Sequence, residues 1–142
     1  MSEDNRIQWG EAVLWIEKAI TDVASARGLL DLGLSDPAAF HVQQAVEKVL
    51  KGMLVAAAQD IRRTHDIDTL ATLARAHWPD LVSNPFPLTT ASQWYVTTRY
   101  PGLDEISPDG LEIAQAVEAV EQLITAMRDR APPGVTWPEL KR

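Results

Sequence analysis

The chain has 142 residues, of which 46% are hydrophobic and 23% are charged, as is usual for one folded domain with one core. Its 20 acidic and 13 basic residues give a net charge of −7, which excludes a globally basic surface for duplex DNA. Cysteine is absent, which excludes disulfides, Cys-ligated metals and cysteine nucleophiles.

The chain start, MSEDNRIQWGE, lacks the cationic and apolar segments of a secretory signal, and no apolar run approaches the ~18 residues of a membrane span. We therefore expect a cytoplasmic protein with no membrane partner. Residues 41–77 contain all three histidines and a small excess of basic over acidic residues. An anionic ligand is therefore most compatible with this middle stretch.

Apolar residues recur at helical spacing over about 9–32, which predicts a first long helix. Arg27 interrupts the apolar stripe of this helix. Gly33 is typical of a helix end, and Ser35-Asp36-Pro37 is typical of the next helix start. A second long helix is predicted over about 37–59.

A third long helix is predicted over about 65–77, with Thr64 as its N-cap. A loop with three prolines follows, and then a short helix over about 90–98. The last long helix is predicted to start at Ser107-Pro108, where a clean apolar stripe begins.

Four long helical segments and one short one, without an alternating β pattern, predict an all-α fold, an up-and-down helical bundle. We assign the bundle to residues 1–130. Residues 131–142 form a proline-rich C-terminal tail that cannot continue the last helix and that we expect to be loose or extended.

The second helix carries a row of polar residues at steps of three and four, which share one side of a helix. This row, which we call the polar row, consists of His41, Gln44, Lys48 and Lys51, with Glu47 at its edge. Lysines and a glutamine in this arrangement suit a phosphate or a nucleobase. A solvated outer face with a Glu47–Lys51 pair is the alternative.

Residues 94–101 read Trp-Tyr-Val-Thr-Thr-Arg-Tyr-Pro and form a second candidate region. Arg99 and Tyr100 suit the clamping of a phosphate and the stacking of a base. The alternative is that the aromatic residues fill the end of the bundle while Arg99 interacts with the last helix carbonyls.

A metal site is a third possibility, because some all-α phosphohydrolases bind metal through a His, a His-Asp pair and a later Asp. His41, His65-Asp66 and Asp104 occur in this order. The loose spacing, and the ordinary role of Asp66 in starting a helix, argue against it. We therefore expect no metal and no cofactor.

Three segments, 40–52, 64–67 and 98–101, together resemble the HEPN (higher eukaryote and prokaryote nucleotide-binding) domain family over about residues 9–130. Thr64-His65-Asp66 matches the family's Thr-His-Asp helix start, and Arg99-Tyr100-Pro101 matches its Arg-Tyr-Pro turn. The residues that match its Gln-x-x-Glu-Lys-x-x-Lys helix are Gln44, Glu47, Lys48 and Lys51.

The resemblance implies a helical bundle, often a homodimer, that binds a nucleotide or single-stranded RNA. It also implies a partner minimal nucleotidyltransferase in a toxin–antitoxin-like pair, with Tyr100 or Tyr95 as a candidate target for nucleotidylation. The expected ligand-binding residues are Gln44, Glu47, Lys48, Lys51, Arg63, His65, Arg99 and Tyr100.

Many HEPN proteins are metal-independent ribonucleases with an arginine and a later histidine separated by four to six residues. None of the three histidines here has an arginine at the corresponding positions. The alternative function is therefore a ribonuclease with a rearranged active site. His65 would be its base, because imidazole exchanges protons near neutral pH. Arg99, or Arg63 from a second protomer, would stabilise the transition state.

Overall fold

A computed structural model describes residues 3–61, 63–97 and 107–141, and these residues form five helices and no strand. The all-α prediction is therefore confirmed. The helices are α1 (Glu3–Asp31), α2 (Ser35–Ala56), α3 (Ile67–Arg75), α4 (Ala91–Thr97) and α5 (Gly110–Arg128).

The predicted division into four long helices and one short helix matches the observed helix lengths only roughly. α1, α2 and α5 have 29, 22 and 19 residues, whereas α3 has 9 and α4 has 7. None of the helices in the described ranges combines the length and the apolar character that crossing a membrane requires.

The start of α3 explains why this helix is shorter than predicted. Asp66, not Thr64, is the N-cap, because its carboxylate accepts a hydrogen bond from the Asp68 backbone N–H at 3.3 Å. The Thr64 hydroxyl oxygen instead accepts a hydrogen bond from the Asp66 backbone N–H at 3.1 Å, which forms a turn just before the helix. The cap prediction at Thr64 is therefore wrong by two residues.

α1 and α2 form an antiparallel pair. The connecting turn closes with the Leu34 N–H donating to the Leu29 carbonyl and with Gly33 at a φ of +75°, a helix ending that favours glycine. Farther along the pair, a Cβ atom on Gly52 would lie 3.2 Å from Ile16 Cδ1 and 3.4 Å from the Ala12 carbonyl oxygen. The two helices therefore approach closely because residue 52 has no side chain.

The Arg27 that interrupts the apolar stripe of α1 has a partner in the bundle. Its guanidinium donates to the carboxylate of Glu121 on α5, and Glu121 is buried. A charged residue on a buried helix face is stable when it is paired in this way. Arg27 thus connects α1 to α5.

The tail has no helix among residues 131–141, as its prolines predict. It is nevertheless attached to the bundle, because its apolar side chains pack against the core. The Trp137 ring centroid lies 6.2 Å from that of Trp9, and Trp9 in turn contacts Trp78 edge to face at 5.8 Å. These residues of the tail are thus non-helical and packed against the bundle.

We expect Gly52→Val to lower the free energy of unfolding by about 1–3 kcal/mol, because the added carbons have no room between α1 and α2. Gly10→Val is the matched control, since a Cβ there would meet no atom of the described residues within 4 Å. It should be neutral or slightly stabilising, because valine favours helix more than glycine does. Urea denaturation measures both, and equal stability of the two variants would contradict the close approach.

Candidate functional site

The polar row of α2 is turned partly into the bundle. The side chains of Glu47 and Lys51 are only 5% and 8% exposed, while Gln44 and Lys48 are half-buried. A solvated outer face would leave all of them in water. The solvated part of this alternative is therefore wrong for Glu47 and Lys51, whereas the Glu47–Lys51 pair that it includes is present, with 3.8 Å between Lys51 Nζ and Glu47 Oε1.

At one end of the row, Asp22 of α1 joins two residues of α2. Its Oδ1 lies 2.9 Å from His41 Nδ1, and its Oδ2 lies 2.5 Å from Lys48 Nζ. The Asp22 side chain is 10% exposed. A buried carboxylate needs partners of this kind, because an unpaired charge in the interior is costly. We call these three residues the Asp22 cluster.

At the other end, Glu47 joins α2 to the start of α3. Its Oε1 lies 2.5 Å from His65 Nδ1 and 3.8 Å from Lys51 Nζ. The Lys51 ammonium also lies 5.7 Å from the ring centroid of Trp15 on α1, close enough for a cation–π interaction. We call Glu47, Lys51, His65 and Trp15 the Glu47 cluster.

The two clusters are adjacent on α2, and we use the name groove for the polar surface of α2 between them. Helical geometry places Lys48 on the side that faces α1 and Glu47 on the side that faces the start of α3. Gln44 and Lys51 lie between these two sides, and we call them the floor of this surface. We call the adjoining side of α1 and the start of α3 its walls.

His65 is the most accessible member of the groove. Its side chain is 76% exposed although its Nδ1 is bound to the buried Glu47 carboxylate. Because Nδ1 is occupied, Nε2 is the nitrogen through which His65 would contact a ligand. A carboxylate that fixes one imidazole nitrogen orients the ring and determines which nitrogen carries the proton.

The sequence prediction missed Asp22 and Trp15, which lie on α1 opposite the polar row. Asp22 carried a detectable signal, because it lies among the buried apolar positions Ala19, Val23 and Ala26. A charged residue on such a face predicts a partner across the interface. Trp15 carried no comparable signal, because an aromatic residue on an amphipathic helix is most simply a core residue.

Part of the predicted site lies outside the described residues. This applies to Arg99, Tyr100 and Asp104, and the side chain of Tyr95 is likewise not described. Arg63 is described and is exposed. The expectation that Arg99 and Tyr100 bind a ligand together with the polar row therefore remains a prediction.

The described residues contain no group of three His, Asp or Glu side chains suited to hold a metal ion. His41 and His65 instead bind different carboxylates, at 2.9 and 2.5 Å. Within the described ranges, these two histidines act as hydrogen-bonding partners of buried acids.

A family model of the HEPN domain matches residues 12–130, which include all of α2, α3, α4 and α5 and most of α1. Both clusters lie inside the matched range. No match was found among the curated proteins or among the solved structures.

We expect Lys51→Ala to lower the free energy of unfolding by about 2–3 kcal/mol, because it removes a buried partner of Glu47 and the contact with Trp15. Lys18→Ala is the matched control: Lys18 is exposed on α1 and its loss should change stability by less than about 0.5 kcal/mol. Thermal and urea unfolding measure both. A Lys51→Ala variant as stable as the control would show that the buried pair adds nothing.

Proposed function

Because the chain belongs to the HEPN domain family, whose functions are related to nucleotides and RNA, we propose that it is a module that binds a nucleotide or single-stranded RNA in the groove along α2. The ligand would contact the floor and the His65 wall. The proposed ligand-binding residues are Gln44, Glu47, Lys48, Lys51, Arg63, His65, Arg99 and Tyr100.

The observation that carries this proposal is the contact of His65 with Glu47. An exposed imidazole held at 2.5 Å by a buried carboxylate is a fixed polar group at the edge of a groove. Its Nε2 and the amide of Gln44 offer a donor and an acceptor for the edge of a base or for a phosphate oxygen. Fixed groups lose little conformational entropy when a ligand binds.

The proposal includes a protein partner. We propose that the chain acts as a cytoplasmic homodimer with a minimal nucleotidyltransferase, in a toxin–antitoxin-like pair. The support is the resemblance of the Thr-His-Asp and Arg-Tyr-Pro motifs to those of the family. Tyr100 or Tyr95 would be the candidate acceptor of a transferred nucleotide.

A second candidate function is RNA cleavage, which the same His65–Glu47 contact favours. The 2′-hydroxyl of the RNA would lose its proton to Nε2 of His65 and attack the adjacent phosphorus, and the 5′-oxygen would leave and take a proton from water. Arg99, or Arg63 from a second protomer, would stabilise the additional negative charge. Glu47 would stabilise the imidazolium that forms.

For the binding function, we expect Gln44→Ala and Arg63→Ala each to weaken binding of AMP or of a short oligoadenylate by about fivefold, the loss of roughly one hydrogen bond or ion pair. Arg6→Ala is the control for charge, because Arg6 is exposed at the start of α1. Isothermal titration and fluorescence anisotropy measure the affinities. Equal affinities of all three variants and the parent protein would place the ligand elsewhere.

For the ribonuclease, the purified protein should cut single-stranded RNA in the presence of a chelator, and His65→Ala should abolish cutting because the proton acceptor is gone. His77→Ala is the matched control, since His77 is exposed on a different part of the bundle. Gel analysis of a labelled RNA measures both. Undiminished cutting by His65→Ala would exclude His65 as the base.

A further inference from the structure

We infer that the cavity between α1, α5 and the C-terminal tail binds the ammonium group of a small alkylamine. The cavity has a volume of about 450 Å³, and its lining includes Arg27 of α1, Glu121 of α5 and Leu140 of the tail. A cavity of this size accommodates a small molecule. The inference goes beyond the proposed binding function, because none of the described residues that line this cavity belongs to the groove along α2.

The ion pair between Arg27 and Glu121 leaves half of its hydrogen-bonding capacity open. Arg27 donates through one nitrogen, Nη2, to Oε1 of Glu121. Arginine and a carboxylate often form two parallel bonds, but here Arg27 Nε and Glu121 Oε2 are buried without a hydrogen-bond partner among the described residues. The Glu121 side chain is only 8% exposed. A buried carboxylate oxygen without a donor is costly, so a ligand that donates to Oε2 gains a strong hydrogen bond.

The charge of the cavity wall favours a cation. Glu118 and Asp129 line the cavity together with Glu121, and Arg27 is the only basic residue among the described residues of its lining. Asp129 is compensated in part, because the Arg128 guanidinium lies 3.2 Å from its Oδ1. Glu118 and Glu121 are three positions apart, which places them on the same side of α5. Together with Arg27 they leave one negative charge in excess, which matches one ammonium.

The other part of the lining suits a short alkyl chain. Ala126 and Leu140 line the cavity beside the acidic residues, and Leu140 packs against the core. Methylene groups are stabilised when such apolar side chains remove them from water. An alkylammonium therefore matches both parts of the cavity, whereas a phosphate would meet the carboxylates.

Arg27 controls access to the open oxygen of Glu121. Its side chain is 40% exposed, and a single nitrogen makes its bond to Glu121. An arginine held in this way can turn toward water at a lower cost than one held by two parallel bonds. The ammonium of the ligand would then donate to Oε2 while the alkyl chain lies along Ala126 and Leu140.

The test in the parent protein uses three ligands of similar size and different charge: n-butylamine, n-butanol and butyrate. Butylamine is a cation at neutral pH, as the lysine side chain is. Titrations at constant ionic strength, followed by chemical-shift changes of backbone amides, give the affinities and the location. We expect butylamine to bind about tenfold or more tightly than the other two, with shifts concentrated in residues 118–129 and at Leu140, because only its ammonium forms a charge-assisted bond with Glu121.

Two variants test the acidic wall. Glu118→Gln should weaken butylamine binding about threefold, the effect of one exposed charge, and Glu121→Gln should weaken it about tenfold. Glu11→Gln is the matched control, since it changes the net charge equally at an exposed position of α1 outside the cavity lining and should leave the affinity unchanged. Thermal unfolding shows whether each variant is folded.

Three outcomes would overturn the inference. The first is butylamine binding that is undetectable or no tighter than butanol binding in the parent protein. The second is a set of chemical-shift changes that lies away from α5 and Leu140. The third is a loss of affinity in Glu11→Gln as large as that in Glu118→Gln, because cations would then be attracted only by the net charge. If Glu121→Gln does not fold, the parent protein and the exposed Glu118 still decide.

Discussion

The close approach of α1 and α2 is the constraint on which the rest of the structure depends. Gly52 allows the backbone of α1 to lie against α2, and this contact places Asp22 opposite His41 and Lys48. These partners stabilise the buried Asp22 carboxylate, since a charge left uncompensated in the interior is strongly unfavourable. The polar row is therefore part of the packing between the two helices as well as a candidate binding surface.

The side of α1 is one wall of the groove, and the start of α3 is the other. Asp66 caps this helix through the backbone N–H of Asp68 and the hydroxyl of Thr69, so the preceding residue is held in a defined position. That residue is His65, whose ring then reaches Glu47 at 2.5 Å. The N-cap of α3 thus positions His65, the most accessible polar group of the candidate site.

Local patterns in the sequence predicted most of the fold, because helix periodicity and end signals depend on neighbouring residues. They also identified the polar row and His65. They did not predict the burial of Lys51, because its partner Trp15 lies 36 positions away in the sequence and on another helix. Similarly, Thr64 and Asp66 are both good caps two residues apart, and the choice between them depends on packing that no local pattern records.

The charge balance of the groove bears on whether binding or catalysis is its function. Cleavage through a phosphorane adds negative charge in the transition state, so a catalyst needs a cation that is not already neutralised. Among the described residues, Lys48 and Lys51 do not meet this need, because Asp22 and Glu47 compensate them. The missing charge would have to come from Arg63 of a second protomer or from Arg99. Without such a cation, an imidazole oriented by a buried carboxylate is better suited to hold a ligand than to cleave it. Among the described residues, this balance favours binding over cleavage.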